Sequence, residues 1–410
     1  MKRFSRSSLT TMAVCLLFIP ALLKAQPRPA HRKKVGVVLS GGGAKGMAHI
    51  GVLKVIEKAG IPIDYVVGTS MGSIIGGLYS IGYSPEQLDS MVRRQDWTFL
   101  LSDKIPRSEQ NLSKRDASQK YVFSIPFGKG VKAEVFGGLI RGQNLANLFS
   151  ELTIGYHDSI NFNKLPIPFA CVSENIVNGN EVNFHEGVLA TAMRASMAIP
   201  GVFTPVRLDS MVLVDGGVVN NYPVNVARAM GADLIIGVDV QSELKPAGEL
   251  NSAGAILGQL VNLMGQDLYK KNLKETTTYI KVNVEGYSAA SFTPSAIDTL
   301  IMRGEEAAMA QDSALMALKS QLGLDSTYMP QPIPSYPYSP ERKVYVKEIT
   351  FDGLDEKDKK WLLKRCDLKE NSEISIRRIE EATAILSANL GYSGATYNLP
   401  EAPGGGYNLN

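Results

Sequence analysis

The amino-acid sequence predicts a three-layer α/β fold with a mostly parallel central sheet, followed by a smaller α+β domain at the C-terminal end. From Val35 onward, short apolar runs typical of buried strands alternate with amphipathic stretches typical of helices, and the connections are short. Five prolines between residues 328 and 342 interrupt this pattern, and a different pattern follows. A length of 410 residues also favours more than one domain.

The elements of the first domain, predicted over residues 35–325, follow from these runs in order. Strands are predicted at residues 35–40, 63–70, 167–173, 212–217, 232–240 and 277–284, where apolar and β-branched residues cluster. Helices are predicted at residues 45–59, 71–80, 86–94, 143–152, 187–196, 223–230, 252–270 and 296–320. Asn178-Gly179 predicts a hairpin between "SENIV" and "NEVNFH".

The C-terminal part differs in pattern. Residues 326–342 form the predicted proline-rich linker, and residues 343–410 form the predicted second domain. The stretch 344–354 alternates like a half-exposed strand, helices are predicted near 355–364 and 375–389, and strands near 395–399 and 405–410. The expected result is a small β-α-α-β-β unit that stops abruptly in a strand.

The overall charge gives no case for a nucleic-acid partner. The 43 basic and 40 acidic residues give a formal net charge of +3, but Lys2, Arg3, Arg6 and Lys24 lie in the first 25 residues, which contain no acid. Beyond residue 25 there are 39 basic and 40 acidic residues, a net charge of −1. A hydrophobic content of 44% and a charged content of 20% are typical of a folded protein.

Residues 1–25 are predicted to be a cleaved signal peptide. A basic start precedes the apolar stretch Met12–Leu23, and Leu23-Lys24-Ala25 resembles a cleavage site. The alternative is a transmembrane anchor, but about 12 apolar residues fall short of the roughly 20 that span a bilayer. We therefore expect an exported protein, located in the periplasm, at the outer membrane or outside the cell.

Cysteine usage predicts neither a disulfide nor a metal site. Cys171 and Cys366 fall in different predicted domains, and neither has a CxxC partner or a histidine at metal-ligand spacing. Both are therefore predicted to be small core residues. The chemistry considered below needs no metal and no organic cofactor.

A candidate nucleophile lies directly between a predicted strand and a predicted helix. Gly68-Thr69-Ser70-Met71-Gly72 fits G-x-S-x-G in the strand–turn–helix context of a nucleophile elbow. The flanking Gly68 and Gly72 permit the tight turn that exposes the serine hydroxyl at the carboxyl end of the sheet. Ser70 is therefore a candidate for nucleophilic attack, and a simple turn serine is the alternative.

The candidate base for Ser70 is an aspartate. Asp215 ends a predicted strand in "LVDGG", and no histidine follows it anywhere in the chain. A triad in the order serine, acid, histidine therefore cannot use Asp215. A Ser–Asp dyad requires Asp215 to be partly desolvated and within hydrogen-bond reach of Ser70. Gly216 and Gly217 allow backbone to crowd the acid, although a strand-ending turn explains them equally well.

The glycine-rich loop at residues 41–46 has two readings. Gly41, Gly43 and Gly46 satisfy G-x-G-x-x-G after a strand and before a helix, as in dinucleotide-binding folds. The acid that should end the second strand is absent, because Asp64 begins that strand and Ser70 ends it. An oxyanion hole needs only free N–H groups near the nucleophile, and the loop can supply them.

Four motifs together resemble the patatin-like phospholipases. They are "LSGGGAKGMAHIGVL" (39–53), "GTSMG" (68–72), "ASMAIPGVFTPV" (195–206) and "LVDGGVVNNYPV" (212–224), in the order of the family. The resemblance covers roughly residues 35–320 and implies a three-layer α/β fold with a Ser–Asp dyad, Ser70 as nucleophile and Asp215 as base. It also implies an oxyanion loop, which maps onto Gly41, Gly42, Gly43 and Ala44.

The C-terminal stretches "VYVKEITFDGL", "LKENSEIS" and "GYSGATYNL" resemble a POTRA module of outer-membrane assembly and secretion proteins. Such modules often precede a β-barrel in bacterial patatin–POTRA–barrel chains. No pattern of repeated ten-residue alternating strands is present, so either the chain is truncated or the unit functions without a barrel. Outer-membrane or secretion machinery is the partner that this resemblance implies.

The resulting hypothesis is an exported serine acyl hydrolase that acts on phospholipid or lysophospholipid at a membrane surface. The substrate class comes from the resemblance, since the residues themselves indicate only ester-type acyl transfer. One alternative is a secretion protein in which the POTRA-like unit matters. The other is a dinucleotide-binding oxidoreductase, suggested by the glycine pattern alone.

Overall fold

The computed structural model describes residues 32–103, 138–251, 253–336, 339, 341–354, 356–388 and 395–410. Within it, Lys33–Asn410 form one compact unit. The predicted signal peptide lies outside the described residues, as do residues 391–394 of the C-terminal resemblance.

The helices and strands are numbered here in chain order. The strands are β1 (Val35–Leu39), β2 (Tyr65–Thr69), β3 (Gly138–Ile140), β4 (Ile160–Asn161), β5 (Phe169–Asn175), β6 (Asn180–Phe184), β7 (Glu186–Gly187), β8 (Gly201–Phe203), β9 (Val206–Leu208), β10 (Met211–Asp215), β11 (Leu234–Asp239), β12 (Thr278–Lys281), β13 (Lys343–Ile349), β14 (Ser372–Ser375) and β15 (Tyr407–Leu409). The helices are α1 (Ala48–Lys58), α2 (Met71–Ser80), α3 (Pro85–Arg94), α4 (Trp97–Leu100), α5 (Gln143–Leu152), α6 (Leu189–Ser196), α7 (Val224–Ala229), α8 (Ala253–Met264), α9 (Gln266–Lys274), α10 (Pro294–Met309), α11 (Asp312–Gln321), α12 (Glu356–Arg365) and α13 (Ile376–Ala388).

The central sheet is mixed. Its order is β12-β11-β1-β2-β5-β10-β9, with β6 also paired to β5. The prediction of a parallel sheet holds for the five strands from β12 to β5, whose pairings are all parallel. The other three pairings are antiparallel. Two of them are hairpins, β5–β6 across Asn178-Gly179 and β9–β10 across a two-residue turn, and the third joins β10 to β5.

Both faces of the sheet are covered, which confirms the predicted three layers. Val37 and Leu39 of β1 belong to one hydrophobic cluster with α1, α2 and α10. Val38, between them, belongs to another cluster with Val224 and Val226 of α7. Because successive strand side chains point to opposite faces, the two clusters lie on opposite sides of the sheet.

The ends of β2 and β10 meet on the same edge of β5. The ladder between β2 and β5 ends where Thr69 pairs with Val172, and the ladder between β10 and β5 ends where Asp215 pairs with Ser173. Since β6 occupies one edge of β5 over residues 171–175, β2 and β10 share the other edge in succession. The sheet therefore brings the residue after Thr69 directly to Asp215.

The C-terminal part has its own small sheet, in the order β14-β13-β15. β13 pairs with β14 antiparallel and with β15 parallel, and α12 and α13 contribute to a separate hydrophobic cluster with β13. The predicted strand at 395–399 is wrong. Asn398 exchanges backbone hydrogen bonds with Asn410, but no regular strand forms, and the Leu399 N–H donates to His157 Nδ1.

Other differences from the prediction are local. The helix predicted at 252–270 is broken at Gly265, and the helix predicted at 296–320 is broken at residues 310–311. In the predicted linker, Tyr336 is buried and stacks on Tyr83 with ring centroids 4.7 Å apart, so this part of the linker packs against the first domain. Among the described helices, none has the length and apolar character needed to span a bilayer.

Candidate active site

Ser70 occupies a strained turn between β2 and α2. Its backbone has φ 55° and ψ −123°, in the positive-φ region that side chains other than glycine rarely adopt. A Cβ atom on Gly68 would lie 2.3 Å from the Gly72 carbonyl oxygen, and one on Gly72 would lie 2.2 Å from the Leu39 carbonyl oxygen. Both glycines are therefore required for the turn to be this tight.

The Ser70 hydroxyl contacts Asp215 directly. Ser70 Oγ donates a hydrogen bond of 2.6 Å to Asp215 Oδ2, while Asp215 Oδ1 accepts one of 2.8 Å from the Gly217 N–H. The two residues are only 5% and 6% exposed. Burial raises the pKa of Asp215 to about 6, although the hydrogen bonds from Ser70 and Gly217 act in the opposite direction. An ionised Asp215 is therefore a stronger base than an ordinary aspartate.

The described histidines do not take part in this contact. His49 is fully buried, its Nε2 donates to the Ser40 carbonyl, and burial lowers its pKa to about 4. His157 Nε2 donates to the Ser150 carbonyl, and burial lowers the pKa of His157 too. Among the described residues, Asp215 is the only base hydrogen-bonded to Ser70 Oγ.

The glycine-rich loop lies against the serine, with two of its four predicted amides already bonded. The Gly41 N–H donates to the Asn221 carbonyl at 3.2 Å, and the Ala44 N–H donates to the Ala289 carbonyl at 2.9 Å. Gly41 and Ala44 are therefore corrected from oxyanion donors to residues that hold the loop. Within the described part of the chain, the N–H groups of Gly42 and Gly43 have no acceptor, so they are the free donors.

The same loop packs closely against Ser70 and Asn221 at Gly41. A Cβ atom on Gly41 would lie 3.1 Å from Ser70 Cβ and 2.2 Å from Asn221 Oδ1. A side chain at position 41 would clash with Asn221 and crowd Ser70, so the loop needs glycine there. The described residues also contain no group of three or more His, Cys, Asp or Glu side chains that could hold a metal ion.

Lys45 links the loop to the segment after β11. Its Nζ donates to Ser242 Oγ at 2.8 Å, and the side chain is buried. Burial and the nearby Lys281 lower the pKa of Lys45 to about 8, partly offset by Asp239. The lysine therefore holds the loop by its hydrogen bond to Ser242.

An apolar cavity of about 320 Å³ opens onto Ser70. It is lined by helices α2, α3 and α5, by the segment 197–203 and by Phe292. Among the described residues that line it, Ser70 alone carries a hydroxyl or charge. Ile199, Val202 and Phe203 of the stretch "IPGVFTPV" contribute apolar side chains to this lining.

Some contacts at the site were not predicted. Ser196 Oγ accepts a hydrogen bond from the Ser70 N–H, and the Ala198 carbonyl accepts one from the Asp215 N–H. Both lie in "ASMAIPGVFTPV", but nothing in the sequence singles them out. Asn220 and Asn221 lie just before α7 and do not cap it. Their carbonyls accept from Thr69 Oγ1 and the Gly41 N–H, which ties the turn after Asp215 to the elbow and the loop.

The chain is similar to several known proteins. A family model described as patatin-like phospholipase matches residues 37–228. A lysophospholipase NTE1 of Candida albicans is 31% identical over 221 residues, which are 52% of this chain and 14% of that protein. A patatin-like phospholipase domain-containing protein of Caenorhabditis elegans is 35% identical over 211 residues, 51% of this chain and 14% of that protein.

Two further comparisons are looser. An uncharacterized NTE family protein of Mycobacterium tuberculosis is 29% identical over 230 residues, 56% of this chain and 55% of that protein. The solved structure of VipD from Legionella pneumophila has a TM-score of 0.41 and 16% identity, covering 70% of this chain and 67% of that one.

The chain spans between 14% and 55% of the lengths of these curated relatives. The residues matched by the family model, 37–228, include the elbow, the glycine-rich loop and Asp215. The family model covers slightly less than half of this chain, and it shows that residues 37–228 are similar to the patatin-like phospholipases.

Proposed function

We propose that this protein is a serine hydrolase that cleaves acyl ester bonds of phospholipids or lysophospholipids with a Ser70–Asp215 dyad. The observation that carries the proposal is the 2.6 Å hydrogen bond from Ser70 Oγ to Asp215 Oδ2 at the wall of an apolar cavity. A nucleophile bonded to a partly desolvated base, beside free backbone N–H groups, is suited to acyl transfer.

In the first half of the reaction, Asp215 Oδ2 accepts the hydroxyl proton as Ser70 Oγ bonds to the ester carbonyl carbon. The carbonyl oxygen becomes an oxyanion, which the N–H groups of Gly42 and Gly43 would stabilise. Collapse of this intermediate breaks the ester C–O bond, and the proton on Asp215 passes to the departing alcohol. The acyl chain is then covalently bound to Ser70.

In the second half, water attacks the acyl carbon while Asp215 accepts one of its protons. Collapse breaks the bond between the acyl carbon and Ser70 Oγ, and the proton returns to that oxygen. The products are a fatty acid and the free enzyme. Every proton transfer uses Asp215, so no histidine, metal or organic cofactor is needed.

The lipid substrate class is supported by the cavity and by the relatives. The cavity has a volume of about 320 Å³, and apart from Ser70 its described lining carries no hydroxyl and no charge. Such a cavity fits an acyl chain better than a polar substrate. The relative from Candida albicans is named a lysophospholipase. We propose the same chemistry here, with the ester held at Ser70 and the acyl chain in the cavity.

The C-terminal unit and the location of the protein are proposals from sequence. The small three-stranded sheet with two helices supports a POTRA-like module without identifying it. Export, a membrane surface as the place of action, and outer-membrane or secretion machinery as a partner rest on the sequence patterns alone. A passenger role for the first domain is disfavoured by the intact contact between Ser70 and Asp215.

A fluorophosphonate probe tests the proposed chemistry, because such probes form a covalent bond with activated serines. We expect stoichiometric labelling at Ser70 and release of fatty acid from lysophospholipid by the full chain. A wild-type protein that takes up no label and binds NAD would support the oxidoreductase alternative instead. Absence of both labelling and NAD binding would favour the secretion role.

Hydrolysis is expected to need an ionised Asp215. Because burial raises the pKa of Asp215 to about 6, kcat/KM for a soluble ester should fall as the pH drops below about 6. The fall should approach about tenfold per pH unit, since only the ionised form accepts the Ser70 proton. Rates measured between pH 4.5 and 8.5 check this, and a midpoint near 4 would mean that Asp215 is an ordinary exposed carboxylate.

Filling the cavity is expected to shorten the acyl chain that the enzyme accepts. Leu148 of α5 lines the cavity, and Leu148→Trp places a larger ring in it. We expect at least about a tenfold loss of kcat/KM for a palmitoyl ester and less than about a threefold loss for a butyryl ester, from lost apolar burial of the long chain. Equal losses for both esters would show that the acyl chain binds elsewhere.

A further inference from the structure

The hydrogen-bond ladder between β2 and β5 predicts a partner for the Ser70 N–H. In a parallel ladder, every second residue of a strand donates to the same neighbour. The Val66 N–H donates to the Pro168 carbonyl at 2.9 Å, and the register continues until Thr69 pairs with Val172. Each further donor and its acceptor lie two residues along their strands. After Val66 and Gly68, the next donor would be the Ser70 N–H, and its regular acceptor would be the Val172 carbonyl.

The structure places a hydroxyl at this point of the ladder. The Ser70 N–H donates to Ser196 Oγ at 2.9 Å, and Ser196 Oγ donates to the Val172 carbonyl at 2.6 Å. Ser196 is the last residue of α6 and is fully buried. One side-chain oxygen therefore relays the hydrogen bond that two strands would otherwise make directly.

This insertion lies where β10 meets β2. The backbone after Asp215 crowds the same carbonyl, since a Cβ atom on Gly216 would lie 2.3 Å from the Val172 oxygen. Two residues after Ser196, the Ala198 carbonyl accepts the Asp215 N–H at 3.0 Å. The segment 196–198 thus bonds to the backbone of both members of the dyad.

We propose that Ser196 is a positioning residue, whose inserted hydroxyl holds Ser70 away from β5 and within hydrogen-bond reach of Asp215. This role rests on the hydrolase function proposed above. Ser196 does not touch the reacting atoms. It acts through the backbone of Ser70, whose φ of 55° leaves few other conformations for the nucleophile.

Removing the hydroxyl has two structural outcomes, and both displace Ser70. If the strands stay apart, the Ser70 N–H and the Val172 carbonyl lose their partner in a buried place, which is costly. If the strands close, Ser70 bonds directly to Val172 and moves toward β5. In either case the geometry of the bond from Ser70 Oγ to Asp215 Oδ2 changes.

The test compares the full-length wild type with Ser196→Ala in fluorophosphonate labelling under excess probe. We expect the labelling rate constant and kcat to fall about a hundredfold, as small displacements of reacting groups do. KM should stay within about twofold and the final labelled fraction should stay near one, because the substrate still binds and the fold persists. The acid limb of the kcat/KM profile should move to higher pH, because the bond from Ser70 lowers the pKa of Asp215.

Two other variants keep the test decisive. Ser196→Cys preserves the side-chain shape but makes weak hydrogen bonds, and we expect at least about a fivefold fall in labelling rate. Ser80→Ala removes another buried hydroxyl from α2 that has no bond to Ser70, and it should label at the wild-type rate.

The proposal is overturned if Ser196→Ala or Ser196→Cys labels at the wild-type rate, or if only the labelled fraction falls while the rate per site is unchanged. An equal slowing in Ser80→Ala would also overturn it. Failure of the wild type itself to label would instead remove the proposed hydrolase function, so the two failures are distinguishable.

Discussion

Ser70→Ala is expected to lower kcat for lysophospholipid hydrolysis by about 10⁴-fold or more, because no covalent acyl-enzyme can form without the hydroxyl. The neighbouring backbone N–H groups and the cavity remain in this variant. Substrate should therefore still bind, and KM should change by less than about threefold. Fatty acid release measures the loss of turnover, and fluorophosphonate labelling measures the loss of the reactive hydroxyl.

The matched control is Ser80→Ala, which removes a buried hydroxyl from the opposite end of the same helix. We expect this control to retain wild-type turnover and full labelling. Thermal melting separates loss of fold from loss of activity in both variants, and alanine occupies nearly the same space as serine. A Ser70→Ala protein that keeps a tenth of the wild-type turnover would exclude Ser70 as the nucleophile.

Much of the first domain could be predicted because its strands and helices have strong local patterns. β1 and β11 are continuous apolar runs in the sequence and are buried along their whole length. The antiparallel half of the sheet was harder to foresee. β9 has only three residues, and its pairing depends on a two-residue turn with Asp209 at φ 51°. Short strands of this kind carry little pattern of their own.

The dyad could be inferred by elimination, because the chain has so few histidines and none after Asp215. The arrangement around it could not. In the sequence, Gly41 and Ala44 look no different from Gly42 and Gly43. In the folded chain, however, their N–H groups donate to the carbonyls of Asn221 and Ala289 and are no longer free to bind an oxyanion. These carbonyls come from loops that are distant in sequence, so only the folded chain shows which amides remain free.

The C-terminal unit was predicted less well for a related reason. The four-residue strand β14, "SEIS", has three polar residues and no repeated alternation to mark it. Conversely, the apolar residues of 395–399 suggest a strand, whereas Tyr397 and Leu399 are buried in the C-terminal hydrophobic cluster and their backbone groups bond to Ser150 and His157 of the first domain. In both cases tertiary contacts outweigh local propensity.

Asp215→Asn is expected to lower kcat about 10³- to 10⁴-fold while leaving the fold intact. Asparagine is almost the same size as aspartate, and its Oδ1 can still accept the hydrogen bond from the Gly217 N–H. The amide nitrogen then faces Ser70 Oγ, where the wild type has the acceptor Oδ2. An amide nitrogen cannot take a proton from the serine, so the nucleophile is left unactivated.

The measurement is kcat across pH 4.5–8.5 for the wild type, Asp215→Asn and the control Asp209→Asn, whose side chain lies in an exposed turn. The acid limb near pH 6 should vanish in Asp215→Asn and persist in Asp209→Asn. Because the two residues act as a unit, the double variant with Ser70→Ala should be no slower than Ser70→Ala alone. Additive losses would mean that Asp215 contributes to the reaction independently of Ser70, and the dyad would have to be abandoned.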